Sequence, residues 1–155
     1  MKTMMKTMMK SKTRWVWIFL VTAGILLVAV SGVGGVEPRD GVFIHITHGK
    51  DDPHRVLMAM QMASIMSQDR DVLVYFDIKG VEVVLKDAKD FTYAHFPSSK
   101  RQLSILPNNG VTLMVCPGCL KAAGKTPDDL AAGIEIADKN RFFSFTKGRI
   151  LTIDY

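Results

Sequence analysis

The chain of 155 residues contains two cysteines, three positions apart in Cys116-Pro117-Gly118-Cys119. Thiols at that spacing can close a disulfide, ligate one metal ion, or act as attacking and resolving partners. The pair follows an apolar run with the character of a strand and precedes a stretch with the character of a helix. A thiol at such a junction feels the positive end of the helix dipole and unpaired amide donors, and both favour the thiolate, the form that attacks or binds metal. The residues therefore point to thiol chemistry, with Cys116 as the attacking or ligating group and Cys119 as resolving thiol or second ligand. Inert buried thiols or a static disulfide are the simpler alternative.

Three histidines open a second possibility. His45, His48 and His54 surround the end of the first apolar run, which in a parallel sheet lies near the cysteine loop. Cys116 and Cys119 with His45 and His48 would form a soft mixed site for copper or zinc, making the protein a metal binder without turnover. Met58, Met60, Met62 and Met66 recur at helical spacing and are read as core filling rather than thioether ligands. Asp51, Asp52 and Asp77 follow apolar runs, where carboxylates serve either proton transfer or capping and solvation. The chain has no Ser-x-x-Lys, Gly-x-Ser-x-Gly, phosphate-loop or His-Glu-x-x-His pattern, so hydrolase and nucleotide readings lack support.

The elements that must hold the cysteines follow from periodicity. Residues 41–47 and 71–77 are branched and aromatic runs expected to be buried strands. Between them, Asp52 and Pro53 mark the start of an amphipathic helix. Residues 80–85 form a short apolar run that suits either an extra strand or a helical turn, and residues 87–96 read as loop. A capped helix is expected over 98–106, stopping at Pro107-Asn108-Asn109-Gly110. The strand 111–115 then runs into the cysteines, and a helix closed by Gly124 follows. A short strand over 133–137, a helix over 140–147 and a last strand over 149–153 complete the series. Strands alternating with helices imply an α/β three-layer sandwich, with a mostly parallel sheet of about five strands and helices on both faces.

The formal charge of +5 is confined to one end. Lys2, Lys6, Lys10, Lys12 and Arg14 precede Trp15 with no acid among them, and the remainder is balanced, which leaves no electrostatic footprint for nucleic acid. Residues 15–36 carry no charge at all. This organisation predicts a cationic segment 1–14, a signal-anchor or transmembrane helix 15–36, a linker 37–40 and a domain 41–155. Ala29, Ser31 and Gly32 offer a cleavage point, whereas Trp15 and Trp17 suit the interface of a retained helix. Either way the positive-inside rule places the domain across the membrane from the cytoplasm. In a bacterium that is the periplasm, with the domain held at the inner membrane or released if the segment is cleaved.

The stretch Gly110-Val-Thr-Leu-Met-Val-Cys116-Pro-Gly-Cys119-Leu-Lys-Ala-Ala-Gly124 resembles the DsrE-like family of sulfur-relay proteins, whose fold is also called YchN-like. That family shows Gly-Val, an apolar strand, a cysteine, a small-residue helix and a glycine, and Arg149-Ile-Leu-Thr-Ile153 resembles its final strand. The resemblance covers most of residues 41–155. It implies that Cys116 takes up sulfur as a persulfide and passes it to a partner thiol, and that the protein forms a homo-oligomer, trimer or hexamer. Cys119 adds to the family's single cysteine a thiol able to resolve a persulfide into a disulfide and release sulfide. A third reading, a non-catalytic subunit of a membrane assembly, would need the anchor and neither cysteine.

Overall fold

A computed structural model describes residues 37–155. The cationic segment 1–14 and the apolar segment 15–36, with the helix expected there, lie outside the described residues. Among the described residues no helix is long and apolar enough to cross a membrane.

The domain opens on strand β1 (Gly41–Ile46), followed by helix α1 (Pro53–Met66) and strand β2 (Asp71–Phe76). A 3-10 helix (Ile78–Val84) leads by a long loop to α2 (Ser99–Ile105) and a short 3-10 turn (Leu106–Asn109). Strand β3 (Thr112–Val115) runs into α3 (Pro117–Ala122), and a further 3-10 turn (Pro127–Asp129) leads to β4 (Ile134–Ile136). Helix α4 (Lys139–Phe143) and strand β5 (Ile150–Asp154) complete the chain. The strands form one sheet in the order β4-β3-β2-β1-β5, and every neighbouring pair is parallel. This is the α/β architecture expected, wholly parallel rather than mostly so.

Alternation along the strands divides the sheet into two faces. Val42, Ile44, Ile46, Val72, Val74, Phe76, Leu113 and Val115 belong to the main core with Val56, Leu57, Ala59, Met60 and Ala63 of α1. Asp52 caps α1 by accepting from the Arg55 amide at 3.2 Å, and Pro53 costs nothing where no intrahelical acceptor exists. Met60 is fully buried and Met62 and Met66 pack against the same core. The opposite face carries Phe43, His45 and Tyr75, and Phe142 of α4 stacks edge-on against Phe43 and Tyr75.

Three departures from the expected elements have local causes. The apolar run 80–85 is the end of a 3-10 helix, because Gly80 sits against β1, where a Cβ would overlap the Ile46 carbonyl oxygen. Helical structure does not stop at Pro107: the proline lies in the first turn of the 3-10 segment, where its missing amide is no loss, and Gly110 ends it at φ 77°. Helix α4 ends at Phe143, well short of residue 147. Thr146 must turn there to donate to the Arg39 carbonyl at 2.7 Å, bringing the chain back to β5.

Candidate functional site

Parallel strands deliver their carboxyl ends to one edge of the sheet, and reactive groups collect there. β3 delivers Cys116, whose amide donates to the Phe76 carbonyl at 2.9 Å, tying the start of the cysteine segment to the end of β2. Cys116 is the N-cap of α3, and its Sγ accepts the Cys119 amide at 3.3 Å. Both cysteines are free thiols, each partly exposed, and Pro117 and Gly118 between them are exposed.

Two opposing influences set the acidity of these thiols. Burial pushes Cys116 up, but hydrogen bonding from the Cys119 thiol and amide, the Tyr75 hydroxyl and the Gly118 amide outweighs it and lowers the pKa. At Cys119 the Ile78 amide favours thiolate, but Cys116, burial and the charge of Asp77 raise the pKa overall. Cys116 is therefore the more acidic thiol of the pair and Cys119 the less acidic. Iodoacetamide should modify Cys116 first, with a rate that rises at lower pH than for an ordinary thiol; mapping the alkylated peptide over a pH series checks this, and earlier modification of Cys119 would contradict it.

A row of side chains, polar except at Met114, crosses the sheet in register. In register lie Asp154 of β5, His45 of β1, Tyr75 of β2, Met114 of β3 and Glu135 of β4. His45 is clamped between two carboxylates, its Nε2 at 2.9 Å from Asp77 and its Nδ1 at 3.0 Å from Asp154. Burial opposes its protonation, but the hydrogen bonds and charges of Asp77 and Asp154 outweigh burial and raise its pKa. Protonated, the ring donates from both nitrogens. Tyr75 is held in the phenol form by burial first and by Cys116 second. The second oxygen of Asp77 is buried with no hydrogen-bond partner.

A raised histidine pKa fixes the sign of a pH effect. The stabilisation from His45 is fully present below its unfolded pKa of about 6.5 and is lost as pH rises through the higher folded value. Wild-type stability should therefore fall relative to His45→Gln over that window. Urea melts at a series of pH values measure the difference, and a gap that widens with pH would refute it.

The other expected residues are placed elsewhere. His48 pairs with Thr47 Oγ1 at 3.0 Å, while His54 stacks on Tyr93 with ring centroids 4.6 Å apart. Among the described residues no group of three or more His, Cys, Asp or Glu side chains is arranged to hold a metal ion. The copper or zinc set of Cys116, Cys119, His45 and His48 is thus not assembled: carboxylates occupy both nitrogens of His45 and Thr47 engages His48. Asp51 binds Lys79 Nζ at 2.9 Å and the Gly49 amide, which hold its pKa down to about 2, and Asp52 serves as a cap.

A model of the DsrE/DsrF-like family matches residues 40–147. The chain belongs to the DsrE/DsrF-like family. Among solved structures it is similar to the YchN protein from E. coli, 17% identical with a TM-score of 0.59. It is also similar to MTH1491 from Methanobacterium thermoautotrophicum, a protein described as of unknown function, 19% identical with a TM-score of 0.54. Each match covers 74% of this chain and 99% of the other. At these identities the likeness is one of fold. No curated protein matches the chain.

Within this DsrE/DsrF-like domain, Tyr75, Asp154 and Ile78 stand at the site although nothing singles them out in the sequence. Tyr75 and Asp154 become visible only once the register of β1 with β2 and β5 is known. Asp154 also extends the last strand one residue beyond its expected end.

Proposed function

We propose that this DsrE/DsrF-like domain carries sulfane sulfur as a persulfide on Cys116, with Cys119 as the thiol that can discharge it. The observation that supports this most directly is the Cys116 sulfur capping α3 and accepting the Cys119 amide, with a second free thiol one turn on. An amide donor and a neighbouring thiol proton stabilise a sulfur anion, whether thiolate or persulfide.

The chemistry balances as two displacements. Cys116 thiolate attacks the outer sulfur of a donor persulfide. The donor S–S bond breaks, the donor thiolate leaves, and Cys116 holds the sulfur as S–SH. An acceptor thiolate attacking that outer sulfur takes it onward and regenerates Cys116. Alternatively, Cys119 thiolate attacks the inner sulfur, forming a Cys116–Cys119 disulfide and expelling hydrosulfide. Reduction of that disulfide by an external dithiol returns the protein to its starting state. The donor and acceptor are protein thiols in this scheme, and the disulfide branch gives the same site a thiol-redox role.

The uncharged segment 15–36 and the five cations before it support placement at a membrane with the domain on the periplasmic side, either anchored or released by cleavage. Family likeness supports a homo-oligomer. Incubation of the full chain with cysteine persulfide, followed by alkylation and peptide mass mapping, tests the carrier role. One added sulfur atom on Cys116, removable by dithiothreitol, is the expected result, and unmodified thiols after incubation would reject it.

A further inference from the structure

On the face of the sheet away from the main core, Tyr75 stands beside the nucleophile. Phe76 and Val115 are paired in register and buried in that core. Tyr75 precedes the one and Cys116 follows the other, so strand alternation sends both to the opposite face. The Cys116 amide, donating to the Phe76 carbonyl at 2.9 Å, keeps the two strands paired up to that point. The Tyr75 hydroxyl hydrogen-bonds the Cys116 sulfur. Its ring is fixed by three others, with centroids 5.9 Å from His45, 6.0 Å from Phe43 and 5.7 Å from Phe142, the last edge-on. Burial first, and the neighbouring thiol second, keep the phenol protonated, so towards a sulfur anion it acts as a donor.

We infer that Tyr75 is a catalytic residue that directs the sulfur on loaded Cys116 to an acceptor thiol rather than to release as sulfide. The inference rests on the carrier reading of Cys116 and assigns the group that decides between its two branches. Both branches break the bond between the Cys116 sulfur and the outer sulfur, but they send its electron pair in opposite directions. In transfer, the acceptor thiolate bonds to the outer sulfur, and the electron pair of the broken bond stays on Cys116 Sγ, which is left as thiolate. In release, the Cys119 thiolate bonds to Cys116 Sγ, and the pair departs on the outer sulfur as hydrosulfide. Negative charge therefore develops at Cys116 Sγ in transfer and at the outer sulfur in release. A donor fixed at Cys116 Sγ before the charge arrives lowers the first barrier and gives the second no comparable help. A hydrogen bond to a developing anion is worth roughly tenfold in rate.

The test loads the full chain and its Tyr75→Phe variant from cysteine persulfide and removes the donor. One portion receives glutathione, and the initial rate of glutathione persulfide formation is read after alkylation. In a second portion, without acceptor, sulfide is trapped and the Cys116–Cys119 disulfide is followed by mass spectrometry. Tyr75→Phe should transfer roughly tenfold more slowly while sulfide release changes by less than about twofold, so the ratio of the two rates falls about tenfold. Phenylalanine keeps the ring contacts, and the variant should melt with wild type. An unchanged ratio, an equal loss in both branches, or a markedly lower melting temperature would overturn the role of Tyr75 while leaving the carrier role standing. Failure of wild-type Cys116 to take up sulfur would overturn the carrier role and this inference with it.

Discussion

Alanine at Cys116 should reduce persulfide loading to the level of a buffer control, while alanine at Cys119 should leave loading within a few-fold of wild type. The asymmetry follows from the geometry, in which Cys116 caps α3 and holds the lowered pKa whereas Cys119 supplies a proton and an amide to it. Losing the Cys119 thiol removes one of the groups that favour Cys116 thiolate, so its alkylation profile should move to higher pH. The larger consequence lies in discharge. Attack by a neighbouring thiol is intramolecular and gains many orders of magnitude in effective concentration, so sulfide release from the loaded Cys119→Ala protein should slow by about a hundredfold or more. Sulfide trapping on the two variants, beside wild type, measures both halves. Equal loading by Cys116→Ala and wild type would remove the basis of the assignment.

Phe76→Ala should cost about 3–5 kcal/mol in stability, the range for deleting a fully buried aromatic side chain. Phe76 is completely inaccessible in the main core, and its carbonyl accepts the Cys116 amide that ties β3 to β2. A cavity at this position would loosen the strand end that sets the cysteine segment, so alkylation of Cys116 should lose its selectivity over Cys119 as stability falls. Small domains have about 5–15 kcal/mol in total, and the variant should unfold at markedly lower urea. Equilibrium denaturation provides the number. A loss under about 1 kcal/mol would mean that the core around β2 is not packed as described.

The framework was legible in the sequence wherever one physical signal dominated. β1, β2 and β3 are branched, apolar runs, and only a strand buried on both faces tolerates them. Asp52 with Pro53 fixed the start of α1 through capping. Legibility failed where tertiary contact set the conformation. Gly80 opens an apolar run that suits a strand or a helical turn, but its missing side chain admits the Ile46 carbonyl, while the positive φ falls on Ile78 two residues earlier. The length of α4 depended on Thr146 bonding to Arg39, a partner more than a hundred residues away.

The same division applies to the site. The two cysteines announced themselves by spacing and by their position at the end of an apolar run, and α3 places them as a strand-to-helix pair. His45 was recognisable as a polar group within an apolar strand, but its role was not. A histidine at a strand end reads equally well as a ligand or as a hydrogen-bonded structural group. The decision came from Asp77 and Asp154, which occupy both ring nitrogens from two other parts of the chain. Tyr75 alternates out of the main core as any half-buried strand residue does, and the parallel register alone sets it beside His45 and near Cys116.

The carrier role is tested most directly by the intact mass of the protein isolated from its native cells under non-reducing conditions. Aliquots with and without thiol alkylation separate the possible states of the two cysteines. A population heavier by one sulfur atom, mapping to Cys116 and lost on reduction, is the expected result. Two free, readily alkylated thiols with no added sulfur and no disulfide in any fraction would contradict it.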